Sequence, residues 1–165
     1  MAEPKVLLVY YSLSGNTRRL AREIETATQS DVDEIVDGRK RTGRIGGFIA
    51  GLEAWSGWPV AIHDSRFDPG AYDLVVVGTP IWKSCVSSPV RAYLKRHRGH
   101  LPEVAFFMTT GHTGIEQVTS QLEKLAGRAP RAVLALREVD LVDMHARAQA
   151  FAAEIRRALA TRSAA

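Results

Sequence analysis

Five short apolar runs, each followed by a stretch with room for a helix, restrict what this chain of 165 residues can become. The runs are Lys5 to Tyr10, Asp31 to Val36, Asp73 to Gly78, Val104 to Thr109 and Ala132 to Val139. Helical spacing of three and four residues follows the first at Thr17, Leu20, Ala21, Ile24, Ala27 and Thr28. It follows the third at Val90, Tyr93, Leu94 and His97, and the fourth at Ile115, Val118, Leu122 and Leu125. After the fifth it returns at Met144, Ala148, Phe151, Ile155 and Leu159. Such spacing puts one apolar stripe on each helix. Five strands, each followed by a helix, argue for a parallel sheet covered on both faces. The first, third and fourth runs are continuously hydrophobic, as buried central strands should be, whereas the second and fifth are polar enough for edges. The order 2-1-3-4-5 satisfies this polarity and has its switch point between strands one and three, so a ligand is expected at the carboxyl ends of strands one, three and four.

Size and charge narrow the setting. The chain is expected to be one domain over residues 1–165, with a frayed tail at 161–165. A single cysteine excludes an intramolecular disulfide and suits a reducing compartment. No apolar run approaches the roughly 20 residues of a membrane helix. Met1-Ala2-Glu3-Pro4 leads directly into the first strand, so no signal peptide and a cytoplasmic location are expected. The net charge of +4 and pI near 9.5 fit acidic protein partners, anionic substrates or a membrane surface, or simply a solvated basic surface. No stripe of Lys or Arg alternates with aromatics, so no nucleic-acid partner is expected.

Three loops stand where the ligand is expected. The first, Tyr10-Tyr11-Ser12-Leu13-Ser14-Gly15-Asn16-Thr17, joins the first strand to the first helix. Such a turn aims backbone N–H groups and the positive end of a helix dipole at one point, which suits a phosphate. Ser12, Ser14, Asn16 and Thr17 add neutral donors, and Gly15 permits close approach or positive φ. It is neither a Walker A loop nor the dinucleotide fingerprint. The plain alternative is an ordinary N-capped helix. The second loop, Gly78-Thr79-Pro80-Ile81-Trp82-Lys83-Ser84-Cys85, offers the broad π surface of Trp82 to a flat ring, with Thr79 beside its polar edge. The third, Thr109-Thr110-Gly111-His112-Thr113-Gly114, combines two glycines, flanking hydroxyls and His112.

The run Ser12-Leu13-Ser14-Gly15-Asn16-Thr17 closely resembles the phosphate loop of flavodoxins, (Ser/Thr)-x-(Ser/Thr)-Gly-Asn-Thr. Gly78-Thr79-Pro80-x-Trp82, with Pro89 and Tyr93 beyond it, resembles the flavin-contacting loop of flavodoxin-like reductases. The resemblance spans essentially the whole chain. It implies a flavodoxin-like three-layer sandwich, a five-stranded parallel sheet in the order 2-1-3-4-5 with helices on both faces, and noncovalently bound FMN. Ser12, Ser14, Gly15, Asn16 and Thr17 would then hold the phosphate; Thr79, Pro80, Ile81 and Trp82, with Thr110, Gly111, His112 and Gly114, would surround the ring. No acid, base or nucleophile is needed for electron or hydride transfer, so no catalytic set is named.

The chain departs from that pattern in three ways. Electron-carrying flavodoxins are usually acidic, and this chain is basic. The third loop supplies His112 where an outer aromatic often stands, leaving one face of the ring more open. Lys83 follows the aromatic where many carriers have Gly, and a backbone flip needing positive φ is expected to be costly there. Cys85 is read as a small packing residue. His63, His97, His100 and His145 show no ligand spacing. The cationic segment Gly38 to Arg44, with Trp55 and Trp58 beyond, reads as a solvated loop before helix two, or as a grip for a nicotinamide-dinucleotide phosphate or an acidic partner, with a homodimer or quinone-facing surface beside it. The implied function is electron transfer to a redox partner protein or to a small-molecule acceptor such as a quinone. The alternatives are an oxidoreductase acting directly on a quinone or porphyrinogen, and a flavin-free interaction domain.

Overall fold

The computed structural model describes residues 4–37, 60–111 and 113–163. Helix two, the cationic segment 38–44, Trp55 and Trp58 lie outside the described residues. Five strands run parallel: β1 (Val6–Tyr10), β2 (Asp31–Glu34), β3 (Leu74–Trp82), β5 (Glu103–Thr110) and β6 (Val133–Arg137). Their order is β2-β1-β3-β5-β6, which is the 2-1-3-4-5 order that the flavodoxin resemblance implies and the strand polarity fits. A sixth strand, β4 (Cys85–Val86), folds back antiparallel on the end of β3.

Period-two alternation sorts the central strands between two cores. Leu7, Val9, Val75, Val77, Phe106 and Met108 point to one face. That face is covered by α2 (Ser88–His97) through Val90, Tyr93 and Leu94, and by α3 (Ile115–Ala126) through Val118 and Leu122. Val6, Leu8, Leu74, Val76, Ala105 and Phe107 point to the other face. There α1 (Asn16–Thr28) packs Leu20 and Ile24, and α4 (Met144–Ser163) packs Ala148, Phe151 and Ile155. Because β1, β3 and β5 are parallel neighbours, their carboxyl ends lie together on one edge of the sandwich.

Two boundaries differ from the sequence expectation. The third strand passes Gly78 and continues to Trp82, so Thr79–Trp82 is strand rather than loop. Gly78 does not break it: a Cβ there would lie 2.0 Å from the Phe107 ring, so the glycine makes room for an aromatic on the neighbouring strand. Pro80 pairs with Thr109 on the last rung shared with β5. The fifth strand stops at Arg137, and Glu138–Asp143 forms a 3-10 helix instead.

Candidate functional site

The loop after β1 gathers backbone donors at the start of α1. Gly15 takes φ 98, a left-handed conformation that turns the chain into α1, and nothing lies within 4 Å of a Cβ placed on it. The Ser12 hydroxyl is 8 % exposed and accepts from the N–H groups of Gly15 and Arg18, each at 3.2 Å. It therefore shapes the turn from within. The backbone N–H groups of Ser14, Asn16 and Thr17 have no acceptor among the described residues, and they stand at the positive end of the α1 dipole. Thr17 is buried, and its hydroxyl shares a 2.8 Å hydrogen bond with that of Thr109 at the end of β5. Asn16 donates from Nδ2 to Glu138 Oε1 at 3.1 Å. On the flank, Arg18 donates to both carboxylate oxygens of Glu34, and Tyr10 donates to Glu34 at 3.1 Å. Burial, then the charge of Glu34, pushes the Tyr10 phenol up to about 12.

The end of β3 stands against this loop. The Tyr11 and Trp82 rings meet edge to face, with centroids 5.8 Å apart and planes at 90°, and Trp82 stays half-exposed. Ile81 is buried and Pro80 half-buried. The Thr79 hydroxyl turns inward instead: it is fully buried, donates to Ser87 Oγ at 2.9 Å, and accepts from Ser87 N–H at 3.2 Å. What Thr79 presents to a ligand is thus its backbone. Lys83 and Ser84 form the tight turn into β4 with φ 47 and 56. The expected resistance of Lys83 to positive φ is overridden, because two successive left-handed residues match the twist of a two-residue hairpin.

The third loop locks onto that turn. Gly114, at φ 99, caps α3 and lies so close to Ser84 that an added Cβ would sit 2.8 Å from the Ser84 Cα. Gln121 donates from Nε2 to the Ser84 carbonyl and accepts from the Val86 N–H, each at 3.1 Å. Thr110 is buried, and its hydroxyl lies 3.4 Å from the Thr113 carbonyl; Gly111 is exposed. His112 lies outside the described residues. Cys85 is half-buried beside the turn. Among the described residues, no three of His, Cys, Asp or Glu are grouped to hold a metal ion, and no helix is long and apolar enough to cross a membrane.

Four contacts thus stitch together the loops after β1, β3, β5 and β6: Thr17 to Thr109, Tyr11 to Trp82, Gly114 to Ser84 and Asn16 to Glu138. The predicted residues of the first two loops, with Thr110, Gly111 and Gly114, lie in this cluster. Glu138 and Gln121 were missed, and no local signal marks them, since each acts on a segment distant in sequence.

No protein-family model and no curated protein sequence matches the chain. Solved structures do. A flavoprotein in complex with FMN from Lactobacillus acidophilus NCFM is 26% identical; the match covers 87% of this chain and 99% of that one, with a TM-score of 0.67. Oxidised Flavodoxin 1 from Bacillus cereus is 15% identical over 93% of this chain and 97% of its own, with a TM-score of 0.55. Fusobacterium nucleatum flavodoxin bound to flavin mononucleotide is 10% identical over 93% of this chain and 98% of its own, with a TM-score of 0.58.

Proposed function

We propose that this chain, which has the flavodoxin-like fold, binds FMN noncovalently and passes electrons through it to a protein partner or a small acceptor. One observation carries the reading. The N–H groups of Ser14, Asn16 and Thr17 lack acceptors at the N-terminus of α1, in a loop tied to three others at the sheet edge. A terminal phosphate fits those donors, and neutral hydroxyls and amides suit it without a paired cation. Trp82, held by the Tyr11 edge, gives the ring a surface to lie against. The hairpin turn, fixed by Gln121 and Gly114, sets the position of that surface. When bound, FMN supplies the electron-transfer chemistry, and the protein supplies position and electrostatics. The positive net charge favours an acidic partner.

Exposed Gly111, with nothing within 4 Å of an added Cβ, supports a second reading in which a small acceptor reaches the ring directly. Two measurements separate these readings. Flavin released from the purified protein should chromatograph as FMN; its absence after reconstitution would remove both. Steady turnover of NADH or NADPH with a benzoquinone would favour the direct oxidoreductase, and its absence beside rapid exchange with a protein acceptor would favour the carrier.

A further inference from the structure

Glu138 opens the 3-10 segment after β6 and places a carboxylate at the rim of the proposed phosphate cradle, where Oε1 accepts from Asn16 Nδ2 at 3.1 Å. Asn16 is the first residue of α1 and one of the three whose backbone N–H has no acceptor. Two guanidinium groups beside the cradle are engaged elsewhere, Arg18 with Glu34 at 2.6 Å and Arg137 with Asp140 at 2.9 Å, while Arg19 in the same first turn of α1 is exposed. The charge of Glu138 thus faces the cradle across a neutral amide. We propose that Glu138 sets the affinity of this cradle for phosphate: its carboxylate occupies the Asn16 amide and opposes the dianion that the cradle is built to take. This inference rests on the FMN reading above and adds to it a residue that limits affinity.

The chemistry gives the effect a sign. A phosphate monoester is close to doubly charged at neutral pH. A carboxylate one amide away repels it in a solvent-exposed setting where salt screens within about 8 Å. A residue that merely oriented Asn16 would have the opposite sign, because its removal would weaken phosphate binding. Glu138→Gln keeps an acceptor for Asn16 and removes the charge; Glu138→Ala removes both. Glu138 is solvent-exposed, so neither change disturbs a core.

The test is equilibrium quenching of FMN fluorescence by wild type, Glu138→Gln and Glu138→Ala, with riboflavin in parallel, at low salt and at about 1 M NaCl. Both variants should bind FMN about threefold more tightly than wild type at low salt. The gain should shrink at high salt, and riboflavin affinity should not change. Equal or weaker FMN binding by Glu138→Gln overturns the inference and leaves FMN binding intact, as does an equal gain for riboflavin. Absence of FMN binding by all three proteins overturns the inference together with the reading beneath it.

Discussion

Gly114→Ala and Gly111→Ala place the same methyl group three residues apart in one loop, and the structure assigns them opposite fates. Gly114 has φ +99, and a Cβ there would lie 2.6 Å from Ser84 Oγ and 2.8 Å from the Ser84 Cα and Cβ. The hydroxyl can rotate away, but the Cα cannot move without shifting the turn that follows Trp82. The left-handed conformation costs about 1–2 kcal/mol for an L residue. Forcing a packed neighbour aside adds about 1–3 kcal/mol. Restriction of the unfolded chain returns about 0.4–1 kcal/mol. Gly114→Ala should therefore destabilise the protein by about 1–4.5 kcal/mol. At Gly111 nothing lies within 4 Å and φ is outside the left-handed range, so Gly111→Ala should be neutral or gain up to about 0.5 kcal/mol. Urea unfolding of both variants by linear extrapolation reads the difference. Adding Ser84→Gly to Gly114→Ala should recover at least about 0.5 kcal/mol beyond additivity, since the strain is shared. Equal effects at the two glycines, or strict additivity with Ser84→Gly, would refute the packing of these two loops.

Other consequences follow from single contacts. Gln121→Leu removes the partners of the Ser84 carbonyl and the Val86 N–H, and should cost about 1–3 kcal/mol with faster hydrogen exchange at the Val86 amide; unchanged exchange there would argue against the clamp. Thr17→Val leaves the buried Thr109 hydroxyl without its 2.8 Å partner and should cost about 1–2 kcal/mol in chemical denaturation. Burial, then the charge of Arg96, lowers the His97 pKa below 6.5; His100 acts the same way, and Asp68 and Asp33 oppose. The unfolded chain therefore takes up this proton at higher pH, so the stability tied to neutral His97 is whole above about 6.5 and falls as pH drops toward the lowered value. Stability should fall less between about pH 7.5 and about pH 5 in His97→Phe than in wild type, and parallel pH profiles would contradict the assignment.

The sheet was legible because its central strands are hydrophobic on both faces. Val75 to Val77 and Phe106 to Phe107 leave no polar side for solvent, while Asp31 and Glu34 mark β2 as an edge. The extension of β3 was not legible. Gly78 and Pro80 read as breakers, and only the Phe107 ring on the adjacent strand shows why a glycine is needed inside it. The loop after β1 was readable as a local turn, since Ser12 and Gly15 shape it within one strand-to-helix connection. Its supports are long-range: 92 residues separate Thr17 from Thr109, and 122 separate Asn16 from Glu138. Periodicity carries no information about such pairs. The positive φ of Lys83 and Ser84 was hidden for a different reason, since neither is Gly or Asn and the hairpin, not the residue, imposes the conformation.

The phosphate cradle is the central claim, and it is tested most directly by titrating apoprotein with FMN and with riboflavin, which differ only in the phosphate. Hydrogen bonds to a charged acceptor contribute about 1.5–3 kcal/mol each, so three N–H donors should make FMN bind at least about 1,000-fold more tightly than riboflavin. Equal affinity for the two ligands, or no affinity for either, would contradict the account.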